Sequence, residues 1–201
     1  MDERIRKQLA FALEIDKEKN QLRLVYRVAG KGTAEFGRRE NDAEHAWHMA
    51  IMAYLLREYA NEEVNITKVM LMCLIHDIVE IEAGDTYAYD EEGLKSQKER
   101  EERAKEKLYS LLPDDQKREL VNLFDEFESY ESPEARFAHA MDNVQPLILN
   151  DSNEGGDWKD HQVSAELVYG RHKKTKPGSE KLYEVSDEIL QKNIKKGNLK
   201  E

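Results

Sequence analysis

A chain of 201 residues, 39% apolar and 36% charged, is long enough to bury one substantial core without covalent staples. Its 42 Asp and Glu against 31 Lys and Arg give a formal charge of −11, which excludes a nucleic-acid polymer as partner because phosphate neutralisation needs a dense basic surface. The single cysteine, Cys73, excludes an internal disulfide framework, and no stretch approaches the roughly 20 apolar residues needed to span a bilayer.

In chain order, nearly every segment has helical period. Ile5, Leu9, Ala12 and Leu13 form one stripe, so a first helix is predicted from about residue 3 to about 20, able to continue through LRLVY. This opening, MDERIRKQLAFALEIDKEKN, is charged and amphipathic with no apolar signal region, and a cytoplasmic location is expected. VAGKGTAEFGRREN reads as a loop. Asn41 or Asp42 then caps DAEHAWHMAIMAYLLREYAN, and KVMLMCLIHDIVE follows as a third helix. AGDTYAYDEEG is a long connection of the kind that carries function. LKSQKEREERAKEKLYSLL is amphipathic with a solvated outer face, and Pro113 opens DDQKRELVNLFDEFESYE. Ser132 caps the next helix with Pro133 at its first position, and Pro146 is expected to kink or end it. NDSNEGGDWKDHQ reads as a second loop before two shorter helices, SAELVYGRHKK and SEKLYEVSDEILQKNIKK. No strand-like alternation persists, so the fold class is all-α, with a core over about 10–150 and a helical extension over about 151–201.

Four side chains of metal-ligand type lie within or beside apolar runs on three of these helices: His45, His76 with Asp77, and Asp142. Burying an ionised carboxylate without a counter-charge is costly, and a divalent cation satisfies all four groups together. An N₂O₂ set suits one divalent transition metal, Mn²⁺, Co²⁺, Fe²⁺ or Ni²⁺ ahead of Mg²⁺, with Zn²⁺ an alternative. Glu80 is one helical turn beyond His76 and Asp77 and is placed to act on a water or a leaving group, and Asp85 can reach the same cavity. A lone histidine on an apolar face is more often a hydrogen-bonded core residue. An adjacent His-Asp in a buried run has few structural uses, and the combination favours the metal.

The pattern His45, His76-Asp77, Asp142, set in RRENDAEHAWHMA and LIHDIVEIEAGDT with a glutamate four and an aspartate nine residues after His76, resembles the HD-domain metal-dependent phosphohydrolases. The fuller motif is similar to the branch containing the 5′-deoxynucleotidases. That resemblance, over roughly residues 10 to 150, implies a bundle of about six core helices around one metal, with C-terminal helices appended and residues 1–201 forming a single domain. It implies a homodimer that removes phosphate from nucleoside 5′-monophosphates. Carried over, His45, His76, Asp77 and Asp142 match the metal ligands, Glu80 matches the catalytic carboxylate, and Asp85 matches the residue that contacts the sugar hydroxyl.

A phosphate-binding arginine precedes the first ligand in this branch, and Arg23 in QLRLVYR is its best match, with Arg27 as competitor. The tryptophan beside that arginine in the deoxynucleotidases is replaced by Leu24, which puts the preference for deoxyribose in doubt.

Arg38 and Arg39 are candidates for the pocket entrance, with Arg38 assigned to substrate binding; surface placement is the alternative. His48 is left outside the ligand set, His139 is a candidate second-layer partner of Asp142, and Glu44 is either surface or second layer. Trp47, Tyr87 and Tyr89 are candidates for shaping a base pocket, while His161 and His172, in polar surroundings, are expected at the surface. Two rivals stand beside the nucleotidase: a non-catalytic metal or nucleotide sensor, which the presence of Glu80 and Asp85 disfavours, and a hydrolase of another small phosphoester.

Overall fold

The computed structural model describes residues 2–28 and 37–200. The first helix, α1 (Glu3–Glu14), begins at Asp2, whose carboxylate accepts from the Arg4 backbone N–H and satisfies one of the orphan donors of a helix start. A 3₁₀ turn over Ile15–Asn20 follows, and the chain then straightens into β1 (Leu22–Tyr26). This strand pairs antiparallel with β2 (Arg39–Asn41), placing Leu22 opposite Asn41 and Tyr26 opposite Arg39. The all-α expectation therefore holds for the body of the molecule but not for LRLVY, where a helical continuation was expected. A five-residue segment with Leu, Val and Tyr suits a pleated edge, and its partner REN gives no strand signal of its own. Of the connecting loop, residues 29–36 lie outside the described residues.

Asn41 closes a capping box with Glu44 and starts α2 (Asp42–Leu56). Asn65 caps α3 (Ile66–Ile75), which runs alongside α2. A short α4 (Glu80–Ala83) ends at Gly84, whose φ of +78° suits a residue without a Cβ. Two long amphipathic helices follow, α5 (Glu91–Tyr109) and α6 (Asp114–Ser129). The central helix is α7 (Pro133–Ser152), with Ser132 as cap and Pro133 at its first position as expected; it packs against α2, α3 and α6. Met49, Ala53, Val69, Met72, Phe137 and Met141 interlock there, and burial of each large side chain contributes roughly 1.5–3 kcal/mol.

Contrary to expectation, Pro146 does not end α7, which continues to Ser152. Its ring removes the N–H that would have met the Asp142 carbonyl, and packing of the turns on either side holds the helix together. The stretch expected as the second loop holds α8 (Gly156–Asp160), entered through Gly155 at φ +97°. Two further helices, α9 (Ala165–His172) and α10 (Glu180–Lys195), complete a smaller core in which Leu147 of α7 meets Trp158, Val163, Val168, Leu190 and Leu199. The Ala165 N–H donates to Lys200 O (2.7 Å) and the Lys200 N–H to Val163 O (3.0 Å), so the last residues are strapped beside the start of α9. Among the described residues, no helix is long and apolar enough to cross a membrane.

Candidate active site

The apolar run of α3 stops at Ile75, and the next four residues tighten into a turn. The Ile78 N–H reaches Ile75 O (3.3 Å) and the Glu80 N–H reaches Asp77 O (2.8 Å) before α4 begins. The continuous helix assumed for this segment is thus broken at the His-Asp pair. The right-handed winding survives, so His76, Asp77 and Glu80 still face one cavity of about 290 Å³. Its floor is completed by Asp142 from α7, and β1 contributes Arg23.

Donor atoms of His45, His76 and Asp142 lie within 4.8 Å of one another, and Asp77 belongs to a separate adjacent group with Asp42 and Glu80 at the same limit. The His45 Nε2 is 3.2 Å from Asp142 Oδ1 and 3.9 Å from Asp77 Oδ2; the His76 Nε2 is 3.1 Å from Asp77 Oδ1. All four expected ligands therefore converge.

Tautomers follow from the outer partners. His76 Nδ1 sits 3.0 Å from the Cys73 carbonyl, which can only accept, so Nδ1 carries a proton and Nε2 is the nitrogen aimed inward. Gln145 Nε2 donates to Glu40 Oε2 (2.9 Å), which turns Gln145 Oε1 toward His45 Nδ1 at 2.8 Å and fixes the same tautomer there. His76 Nε2 is buried, 3.1 Å from Asp77 Oδ1 and without an aligned hydrogen bond, as a ligand nitrogen would be. Two imidazole nitrogens and two carboxylates pre-aimed in this way fit a divalent cation.

The remaining charges are arranged around this centre. Arg23 donates to Asp77 Oδ2 (2.8 Å), with Asp42 Oδ1 at 3.5 Å and Glu40 Oε1 at 3.6 Å. Burial would raise the Asp77 carboxyl, but His76 and Arg23 together hold it well below the usual carboxylate range. Burial would likewise lower His76, and Asp77 outweighs it, carrying the imidazole to about 9. For Glu80, burial and the negative charges of Asp77, Asp42 and Asp85 all act upward, far above its ordinary value. Asp42 is pushed to about 8 by burial and by Asp77. Burial also raises Asp85. The far wall of the cavity includes Tyr87, Tyr89, Asp157 and Trp158, with the Tyr87 hydroxyl donating to Asp157 Oδ2 (3.0 Å).

A profile of the HD domain family matches residues 16–183. The chain belongs to the HD domain family. Among curated HD relatives, the 5′-deoxynucleotidase HDDC2 of Bos taurus is 31% identical over 109 residues, 54% of this chain and 52% of the relative. The Homo sapiens protein of the same name is 30% identical over 111 residues, 55% and 53% of the two chains. This HD-domain protein thus spans about half the length of the curated relatives it matches. The crystal structure of a predicted metal-dependent phosphohydrolase from Magnetospirillum magnetotacticum superposes with a TM-score of 0.89 at 43% identity, covering 98% of this chain and 96% of that one.

Several residues of this HD domain lie elsewhere than expected. Arg38 does not reach the cavity; it is half exposed, and its guanidinium pairs with Glu44. Glu44 is committed to the capping box and to that pair. Arg27 also turns to Glu44, at 3.4 Å, which leaves Arg23 as the arginine of QLRLVYR in the site. His139 lines the cavity, but its Nε2 meets Phe127 O (2.9 Å) rather than Asp142, and its ring stacks on Phe127. His48 joins the outer network through Gln145 (3.1 Å). Trp47 is exposed on α2, away from the cavity, whereas Tyr87 and Tyr89 line it. His161 is exposed as expected, but His172 is buried in the cavity wall, with burial and neighbouring Arg171 lowering its pKa to about 3.

Four participants escaped the sequence reading. Asp42 is fully buried, although in the sequence it offers only a helix cap. Glu40 and Gln145 form the outer support of His45, which nothing in their spacing advertises. Arg171 of α9 reaches Asp142 Oδ2 at 3.0 Å from 29 positions away in the chain.

Proposed function

We propose that this protein is a metal-dependent phosphohydrolase that releases phosphate from nucleoside 5′-monophosphates. The observation that carries this reading is the set of two inward-facing imidazole nitrogens and two carboxylates beside a further carboxyl, Glu80, and a guanidinium, Arg23, in one cavity. His45, His76, Asp77 and Asp142 would hold the metal, which supplies Lewis acidity and brings the pKa of a water toward neutrality. Arg23 binds the phosphate, its planar fork matching two equatorial oxygens. A water attacks phosphorus as the bond to the 5′-oxygen breaks, and Glu80 moves the proton that the water loses and the departing oxygen gains. Asp85 accepts from a sugar hydroxyl. Catalysis then rests on position and charge, with the products being inorganic phosphate and a nucleoside.

Leu24 lines the cavity beside Arg23. An apolar side chain of this size rejects an extra ribose hydroxyl weakly, so comparable turnover of ribo and deoxy substrates is expected. The protein is further proposed to work as a homodimer: Trp47, Ile51, Tyr54 and Leu55 form an exposed apolar stripe along α2, at helical spacing.

The test is phosphate release after chelation and reloading with Mn²⁺, Co²⁺, Zn²⁺ or Mg²⁺, over ribo- and deoxyribonucleoside 5′-monophosphates. Release that requires metal and falls by at least about a thousandfold in Asp77→Ala, and about a hundredfold in Glu80→Gln, is the expected result. Silence across the panel with metal binding retained would sink the nucleotidase and favour a sensor.

A further inference from the structure

The two carboxylates proposed as ligands are held in the same way, from two different elements of the cavity wall. Asp77 turns Oδ1 to His76 Nε2 at 3.1 Å and Oδ2 to the Arg23 guanidinium at 2.8 Å. Asp142 turns Oδ1 to His45 Nε2 at 3.2 Å and Oδ2 to the Arg171 guanidinium at 3.0 Å. Both arginines line the cavity, one from β1 and the other from α9, and Asp85, also in the lining, feels the positive charge of each. Arg171 is mounted on a firm support, since its neighbours Val168 and His172 are buried. Among the described residues its one hydrogen-bond partner is Asp142, through Nη2, and the other donors of the fork are available to a ligand in the cavity.

The donor geometry points to the ligand. With Asp77 and Asp142 engaged by a divalent cation, the guanidinium forks of Arg23 and Arg171 both present donors to the same cavity. A phosphate carries acceptor oxygens on several sides, which match two guanidinium forks in geometry and in sign of charge. We infer that Arg171 is a second substrate-binding arginine, which with Arg23 grips the phosphate across the metal centre, so that the C-terminal helices belong to the active site. This rests on the phosphomonoester reading above and extends it by assigning the second cation.

The test measures binding of inorganic phosphate to the Mn²⁺-loaded protein by calorimetry, in wild type, Arg171→Ala and Arg171→Lys, with Mn²⁺ affinity measured separately without phosphate. Arg171→Ala is expected to weaken phosphate binding by at least about tenfold, the loss of a charge-assisted hydrogen bond, while Mn²⁺ affinity changes by less than about threefold. Arg171→Lys, which keeps the charge but not the fork, should recover only part of the loss, and it carries the test alone if the alanine variant does not fold. In turnover the same variants should raise KM. Unchanged phosphate affinity overturns the inference, and so does a parallel fall in Mn²⁺ affinity, which would reduce Arg171 to orienting Asp142. Phosphate binding needs no turnover, so a protein that binds phosphate through Arg171 yet hydrolyses no nucleotide would refute the proposed reaction and leave this assignment standing.

Discussion

The floor and the far wall of the cavity are built by opposite rules. On the floor, His45, His76, Asp77 and Asp142 project from α2, from the turn after α3 and from α7; each imidazole has an outer partner that fixes its direction, Gln145 for His45 and the Cys73 carbonyl for His76, and each carboxylate turns one oxygen to an arginine that itself lines the cavity. The far wall, from the segment after Gly84 and from α8, offers aromatic surface and a few polar groups such as Asp157. Buried charge is costly and must be over-determined, whereas an apolar wall tolerates exchange. Change should therefore be expensive on the floor and cheap opposite.

The sharpest way to break that contrast is to remove an outer partner while leaving every proposed ligand in place. Gln145→Leu frees His45 Nδ1 and strands Glu40, and metal affinity by chelator competition should fall about 10–100-fold with the ligand set intact. An effect below threefold would show that the floor is not held from behind.

A second probe reads the charge density of the floor through stability. Glu18 is buried, and burial together with the charge of Asp77 raises its carboxyl to about 7. The folded state thus binds this proton more tightly than the unfolded chain, so stability is full below the unfolded pKa near 4.3 and declines as pH rises to about 7. Glu18→Gln removes that loss and should stabilise the protein by about 1–2 kcal/mol at pH 8 with almost no gain at pH 4, read by urea melts at both values. Equal gains at the two pH values would refute the electrostatic account.

Smaller effects belong to the opposite wall and the rim. Tyr87→Phe deletes the hydroxyl bonded to Asp157 but keeps the ring, and KM should move by about threefold with kcat nearly unchanged. Arg38→Ala should leave kcat/KM within about twofold, because its guanidinium is half exposed and engaged with Glu44; a tenfold loss would return Arg38 to the substrate site.

The same contrast governs what could be read from the sequence. Floor residues announce themselves because a histidine or aspartate inside VMLMCLIHDIVE or FAHAMDNVQPLIL violates the expected pattern, and the violation is local. Arg171 violates nothing: it sits in the mixed stretch SAELVYGRHKK, where an arginine is ordinarily a solvated residue, and only the packing of α9 brings it to Asp142. His172 was misread for the same reason. His139 shows the reverse error, since helical spacing put it near Asp142 but could not say that Phe127 would take its nitrogen. The hairpin escaped because two short edge segments, one of them REN, owe their pairing to position rather than to propensity.

The strap between Val163, Ala165 and Lys200 gives this architecture a direction in time. The floor is encoded by the end of α7 at Ser152, but the helix bearing Arg171 packs partly on α10 and on the strap through Lys200, which come later in the chain. At synthesis rates of about 5–20 residues per second, the interval is some seconds, during which a nascent chain can assemble the floor without its second arginine. The growing polypeptide would pass through a stage in which the four proposed ligands and Arg23 are in place and Arg171 is not.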